Sequence, residues 1–533
     1  MRLLLGFCGY LIGAFLFVVS TWVHEEYGRV TIDQVLYHMG FGTDALLASD
    51  PELGLRLAQQ VLWPAFKYAI LLSLCDVLVT IAGRSRRAPA PASAPDSRLR
   101  QGTRGIARLS EPPLRVLRGL YRRRPHLLLP LAGLFYFGHS FALVDYLRVN
   151  LGPDLFSQAY VDPARVTIGG DRPTNLVVIY VESLENTYAD PARFGHDLLA
   201  RLNALKPQGI SFGAYQEVLG AHFTIAGIVS TQCGIPLRSL AMFRGNEQGE
   251  RIGRYLPRAS CLGDILHDHG YTNVFLNGSS LQFAGVGKFF HDHHYDKVMG
   301  REEWLAQGAD EAGMSGWGLH DDDLFARARD ELERLKSAGR PFNLNVLTID
   351  THHPRGHLSR HCAARGAGDF EGIVECTADL VAGFVEFIIA RGWLADTAVL
   401  IQGDHLAMGN SVYRKLTAEP KRTVFNLILG GGRPLAKNTD AVTHFDMLPT
   451  MLELTGLRVL GERAGLGYSA IGDAVVPRPA DRLARIGELT RHVSPGYRRL
   501  WEPVEPEPPA MQADAPGSEV GSPYEFDFSP APG

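Results

Sequence analysis

The chain has 533 residues, 46% of them apolar and 21% charged, with a formal net charge of −4. That length exceeds one ordinary domain, and the composition is that of a chain able to bury a core. The small net charge hides an asymmetry, since residues 84–124 hold twelve arginines against Asp96 and Glu111, a net +10 that leaves −14 on the remainder; such an acidic main body argues against nucleic acid as a partner, because phosphate binding needs a basic face.

Residues 3–23, LLLGFCGYLIGAFLFVVSTWV, carry no charge and are long enough to span a bilayer as a helix. A cleaved signal peptide is the rival, but the apolar run is too long and no A-x-A-like site follows it. Residues 61–83 form a second candidate span. There Lys67 can snorkel toward one end, whereas Asp76 must face another helix. Residues 127–144, LLLPLAGLFYFGHSFALV, form a third. Arginine is concentrated between the second and third spans, and positive residues stay cytoplasmic. The expected order is therefore N-terminus inside, basic loop 84–124 inside, and everything after about 147 outside. The loop itself is Pro/Ala/Arg-rich and is expected to be disordered, an orientation signal with some attraction to lipid headgroups. Residues 1–150 read as a membrane domain and 151–171 as a linker.

From about 172 the texture changes. NLVVIYVE (175–182), TNVFLNG after 271, FNLNVLTID (342–350), TAVLIQGDH (397–405) and FNLILGGG (425–432) read as strands. ASCLGDILHDHGY (259–271), DDLFARARDELERLKSAG and TADLVAGFVEFIIARGW read as helices between them. Strands alternating with helices predict an α/β domain with a largely parallel sheet, over 172–501. The Pro-rich acidic segment 502–533 reads as a disordered tail. Cys233, Cys261, Cys362 and Cys376 lie in this region, and the chain has no C-x-x-C. Outside the cytoplasm four such cysteines fit two disulfides, the nearest pairs in sequence being 233–261 and 362–376; the alternative is four buried thiols.

In open α/β sheets the site lies at the carboxyl ends of the strands. That rule selects Glu182, the pair Asp404–His405, and Thr351–His352–His353. A strand-end carboxylate with an Asp-His pair makes a reasonable divalent metal site. Thr224, in HFTIAGIVS, sits at or near the start of a helix. There free N–H groups favour negative charge, and a hydroxyl can serve as a nucleophile; the rival role is an ordinary N-cap. HDHH (291–294) follows no strand end and is expected on a surface turn.

YVESLENTY (180–188), HFTIAGIVSTQCGIPL (222–237), CLGDIL (261–266), WGLHDD (317–322), LTIDTHHP (347–354) and GDHLAM (403–408) resemble, in order, the periplasmic phosphoglycerol transferase I family. That family is related to lipoteichoic acid synthases, phosphoethanolamine transferases and sulfatases. The resemblance implies an alkaline phosphatase/sulfatase-like three-layer α/β domain behind three transmembrane helices in the bacterial inner membrane. It implies Glu182, Thr224, Asp404 and His405 as ligands of a metal, typically Mn2+, with Thr224 also the nucleophile. His352 matches the histidine at the substrate phosphate, and His353, Asn277, Gln282 and Lys288 are the expected substrate-side residues. The family commonly has arginine where Gln282 stands, so Lys288 is the candidate replacement charge. The implied reaction moves phosphoglycerol from phosphatidylglycerol to osmoregulated periplasmic glucans by double displacement.

The rival activities share this chemistry. A formylglycine sulfatase needs C/S-x-P-x-R, and Cys233-Gly-Ile-Pro-Leu lacks both the spacing and the arginine. A two-zinc alkaline phosphatase needs more Asp and His ligands than the strand ends supply. A phosphoethanolamine transferase and a phosphodiesterase with water as acceptor remain alternatives. A catalytically inert binding module has no need for the whole set of reactive residues. His444 and Asp446, in THFDMLPT, read as structural.

Overall fold

The computed structural model describes residues 2–27, 53–85, 127–144, 153–164, 166–168, 173–238, 254–432, 434–472, 481–491 and 494–502, with Val30, Ile32, Val35 and Leu147. Nearly all of the basic loop 84–124, and the tail 502–533 beyond its first residue, lie outside them, as does part of the 151–171 linker.

Helix α1 runs Arg2–Tyr27, and α2 runs Trp63–Ser85 and continues a helical segment that begins at Leu53. Two helical stretches, Leu4–Tyr27 and Leu53–Leu78, are long and apolar enough to cross a membrane by length and composition. The third expected span is shorter than 127–144: α3 covers Leu128–Ser140. Thirteen residues rise about 20 Å, less than the roughly 30 Å hydrocarbon core. The helix stops because Ala142 takes a positive φ of 53°. It still packs on α1. Gly133 approaches Gly13 so closely that a Cβ there would stand 2.9 Å from the Gly13 carbonyl oxygen, a small-residue crossing.

The main sheet has seven strands: β1 Asn175–Val181, β2 Gly209–Ile210, β3 Thr272–Asn277, β4 Lys297–Met299, β5 Phe342–Leu347, β6 Thr397–Gly403 and β7 Asn426–Gly430. Their order is β2-β7-β6-β1-β5-β3-β4. The five strands from β6 to β4 are parallel, whereas β7 is antiparallel to β6 and β2 antiparallel to β7. The sheet is thus mixed rather than wholly parallel. Residues 404–425 return from β6 without a long crossover helix, which a parallel neighbour would require.

β1 is central and buried on both faces, so its sequence is a continuous apolar run. Leu176, Val178 and Tyr180 enter one core layer, and Val177, Ile179 and Val181 enter the other. Each such aliphatic side chain contributes about 1.5–3 kcal/mol. One layer holds helices α4 Thr224–Cys233, α5 Leu262–Asp268, α6 Val286–Asp292 and α9 Met447–Leu454. The other holds α7 Asp321–Ala338 and α8 Phe370–Ala390. α8 starts earlier than its sequence pattern suggests because Asp369 caps it, accepting the Gly372 N–H at 2.9 Å. Disulfides join Cys233 to Cys261 and Cys362 to Cys376.

Candidate active site

Glu182 follows β1 directly. Its backbone N–H donates to Thr348 Oγ1 (3.0 Å) and its carbonyl accepts the Thr351 hydroxyl (2.6 Å). The segment after β5 therefore grips it from two sides. Ser183, at φ 57°, donates its hydroxyl to Glu182 Oε1 (2.7 Å) and its N–H to Asp404 Oδ1 (2.8 Å). Asp404 Oδ1 also accepts the His405 N–H at 2.9 Å. The ends of β1 and β6 are thus tied through side chains as well as through the sheet.

His405 Nδ1 lies 2.8 Å from the Leu406 carbonyl. A carbonyl only accepts, so Nδ1 carries the proton in this pair. The other ring nitrogen, Nε2, stands 3.4 Å from Asp404 Oδ2, 3.5 Å from Glu182 Oε1 and 3.4 Å from Thr224 Oγ1.

Thr224 is the first residue of α4. Phe223 precedes it with extended backbone and supplies no side-chain cap. The Thr224 hydroxyl donates instead to Glu182 Oε2, 3.2 Å away. The ordinary capping role considered from sequence does not describe this residue. α4 can reach the site because Gly227 has no side chain; a methyl group there would overlap the Asp404 carbonyl oxygen. His444 holds the same carbonyl from the other side, with Nε2 at 2.8 Å. Burial pulls the His444 pKa down to about 3, so the ring is neutral and donates. Asp446 accepts the Thr443 and Tyr468 N–H groups and pairs with Arg482.

Charge at the site is concentrated and dry. Glu182, Asp404 and His405 are all buried. Burial pushes the Asp404 carboxyl up to about 8, and the Glu182 charge adds to the rise. Burial also acts to raise Glu182, but the His405 and His352 charges outweigh it and hold its pKa down. Burial acts to lower His405, but Asp404 and Glu182 reverse that and lift it to about 9.

Donor atoms of Glu182, Asp404 and His405 lie within 4.8 Å of one another. Asp404 Oδ2 is buried and accepts no hydrogen bond among the described residues. An orphaned acceptor among carboxylates is costly unless a cation meets it. Two carboxylates, an imidazole and a hydroxyl are a donor set suited to a hard-to-borderline divalent ion, and the residues present fit one.

His352 lies on the same side. Donor atoms of Glu182, His352 and His353 also fall within 4.8 Å of one another. Its Nδ1 donates to the His353 carbonyl at 2.8 Å. Trp317 stacks on its ring at 4.2 Å and 26°, which fixes its plane.

The other expected substrate-side residues do not converge in this way. Asn277 is fully buried, with its amide turned onto Ser279 Oγ (2.9 Å) and its backbone carbonyl taking the Trp304 indole N–H (2.8 Å). It shapes the turn after β3. Gln282 is exposed at the start of a short 3-10 turn. Lys288 Nζ is 3.2 Å from Asp292, one turn on along α6.

HDHH is a correction. His291 and Asp292 end α6, and His293 is buried rather than on a surface turn. His293 Nδ1 is 2.8 Å from Asp264 Oδ2, and its Nε2 is 3.8 Å from Cys261 Sγ. The Asp264 carboxylate, in the first turn of α5, also meets His294 at 2.8 Å, which draws the segment inward.

Sequence reasoning missed Ser183, Trp317 and Glu217. Ser183 had a signal, adjacency to a strand-end glutamate, and Trp317 stood in WGLHDD. Glu217 had none. It is half-buried, and its Oε2 accepts the Leu406 N–H at 2.6 Å. The Leu406 backbone thus links Glu217, bound at its N–H, to His405 Nδ1, bound at its carbonyl, a supporting arrangement of the kind metal-binding histidines use. Burial pushes the Glu217 carboxyl up to about 7.

Residues 174–457 match the sulfatase family model. The chain is 37% identical over 360 residues to phosphoglycerol transferase I of Escherichia coli O127:H6 (strain E2348/69 / EPEC), an alignment covering 66% of this chain and 45% of that protein. The match therefore spans less than half the length of that relative. Among solved structures, the lipoteichoic acid synthase LtaP of Listeria monocytogenes aligns with TM-score 0.43 and 16% identity, over 58% of this chain and 79% of that one. The Streptococcus pyogenes phosphoglycerol transferase GacH, in complex with sn-glycerol-1-phosphate, aligns with TM-score 0.40 and 15% identity, over 66% and 91%. With the family model covering more than half of its length, from ahead of β1 to beyond α9, the chain belongs to the sulfatase family.

Proposed function

We propose that this chain is a membrane-anchored phosphoglycerol transferase, moving glycerophosphoryl groups from phosphatidylglycerol to periplasmic glucans through Thr224. The observation that carries this reading is the Thr224 hydroxyl, turned away from its own helix and onto Glu182 at 3.2 Å, with His405 Nε2 3.4 Å away. The identity to phosphoglycerol transferase I supports the transferred group. Sulfate-ester chemistry through a formylglycine is disfavoured, since Cys233 is tied to Cys261. The reading includes a membrane part in which α1 and α2 span the bilayer and the shorter α3 packs on α1, a catalytic domain over 172–501 on the periplasmic side, and manganese as the metal.

Glu182, Thr224, Asp404 and His405 would hold that metal, which supplies Lewis-acid charge beside the attacking hydroxyl and the phosphoryl oxygens. Thr224 Oγ1 attacks phosphorus, and its proton leaves along the hydrogen bond toward Glu182. The N–H groups at the start of α4 favour the negative charge that develops there. The bond from phosphorus to the diacylglycerol oxygen breaks, and His352 Nε2 gives that oxygen a proton. Its Nδ1 is committed to the His353 carbonyl, so Nε2 is the atom that moves the proton. A glycerophosphoryl-threonine ester remains. A glucan hydroxyl then attacks it, His352 Nε2 takes that hydroxyl's proton, and Thr224 Oγ1 leaves, recovering its own proton along the hydrogen bond from Glu182.

The test is reconstitution of the full chain in vesicles with headgroup-labelled phosphatidylglycerol and glucan. Label on the glucan together with diacylglycerol release, both lost in Thr224→Ala, is the expected result. Free glycerophosphate in place of labelled glucan would identify a hydrolase. Turnover of phosphatidylethanolamine alone would identify a phosphoethanolamine transferase.

A further inference from the structure

The end of α1 is unusually well fixed. The Trp22 indole donates to Gln60 Oε1 (2.7 Å), His24 Nε2 meets the Ser140 carbonyl (3.2 Å), and Arg56 pairs with Glu26 (3.4 Å). These contacts join the ends of the three apolar segments in one polar collar. Trp22 and Tyr27 meet edge to face at 5.9 Å, and such aromatics mark the membrane–water interface.

The collar also touches the site. Tyr27 meets the His353 ring edge to face at 5.3 Å and 85°. The backbone of Gly409, in the segment after β6 that begins with Asp404 and His405, lies against the last carbonyls of α1. A Cβ on Gly409 would stand 2.6 Å from the Glu26 oxygen and 3.1 Å from the Glu25 oxygen. The segments that follow β5 and β6 are themselves tied, since the Ser411 N–H donates to the Pro354 carbonyl at 3.1 Å. Glycine at 409 is therefore a close-approach position.

From these contacts we infer that the end of α1 is a docking stop that holds the reaction site at headgroup level, so that the site favours phosphodiesters anchored in the leaflet over the same headgroup in free solution. This rests on the reading of α1 as a membrane span and of the donor as a lipid. α1 has 26 residues and rises about 39 Å, enough to cross the roughly 30 Å hydrocarbon layer and end among the headgroups. Glu26 and Tyr27 are its last residues, so whatever packs on them lies at that depth.

The experiment uses the full chain in phosphatidylglycerol-containing vesicles. Gly409→Val is expected to lower kcat/KM on vesicle phosphatidylglycerol at least tenfold while leaving turnover of monomeric dibutyryl phosphatidylglycerol within twofold. Equal losses on both donors, or no loss on either, would overturn the inference. A second arm needs no activity: p-benzoylphenylalanine at Tyr27, irradiated in the vesicles, should cross-link to residues 353–354 or 409–411, and Gly409→Val should abolish that link. Cross-links only elsewhere would overturn the docking. If the unmodified chain consumes neither donor, the functional reading fails, and the cross-link still decides the docking.

Discussion

The Thr224 hydroxyl donates to Glu182 rather than to its own helix. Residues 181–182 and 224 belong to separate segments, brought together because β1 ends where α4 begins. Removing an N-cap costs about 0.5–2 kcal/mol of stability, and no such cap bond is present here. Thr224→Ala should therefore abolish transfer, on the order of 10³-fold or more, while changing unfolding free energy by less than about 1 kcal/mol. Paired transfer assays and thermal unfolding check this, and a large loss of stability would restore the capping role.

Gly227 makes the second case. Any side chain there meets the Asp404 carbonyl, which His444 also holds. Gly227→Ala should cost about 1–3 kcal/mol through overpacking and weaken metal retention, read by denaturant unfolding and by metal content after dialysis.

Glu217 is linked to His405 by hydrogen bonds through the Leu406 backbone and by the attraction of their charges. Glu217→Ala should weaken metal binding about 10–100-fold, the range for supporting groups. Its pH signature has a definite sign. Burial raises the folded pKa from 4.5 to about 7, so the folded chain holds this proton more tightly than the unfolded chain does. The associated stability is fully present below about 4.5 and is lost as pH rises through about 7. In chelator-treated protein, the unmodified chain should lose stability relative to Glu217→Gln across that window, and a flat difference would contradict the assignment.

The two disulfides should separate stability from activity. They close loops of 28 and 14 residues, worth roughly 3.6 and 3 kcal/mol in the chain-entropy picture. Both double-serine variants should melt earlier by similar amounts. Only Cys233→Ser/Cys261→Ser should also lower turnover, because Cys233 ends the helix that begins at Thr224. Melting temperatures and transfer rates measured at a temperature where both variants are folded make the comparison.

The sequence by itself determined the elements. A short, β-branched-rich apolar run such as NLVVIYV reads as a strand buried on both faces, and an uncharged 21-residue run such as 3–23 is long enough for a bilayer, because apolar run length and residue type are local properties of the sequence. It also put Glu182, His352, Asp404 and His405 at strand ends, where an α/β sheet gathers its chemistry. The tertiary structure decided what depends on approach between distant segments. It turned Thr224 from its helix onto Glu182, ran β7 antiparallel, cut the third helix short at Ala142 and drew His293 inside onto Asp264. It also set Glu217 behind His405 and the end of α1 against His353. Such contacts join residues up to several hundred positions apart and leave no periodic trace along the chain, so only packing of the whole fold specifies them.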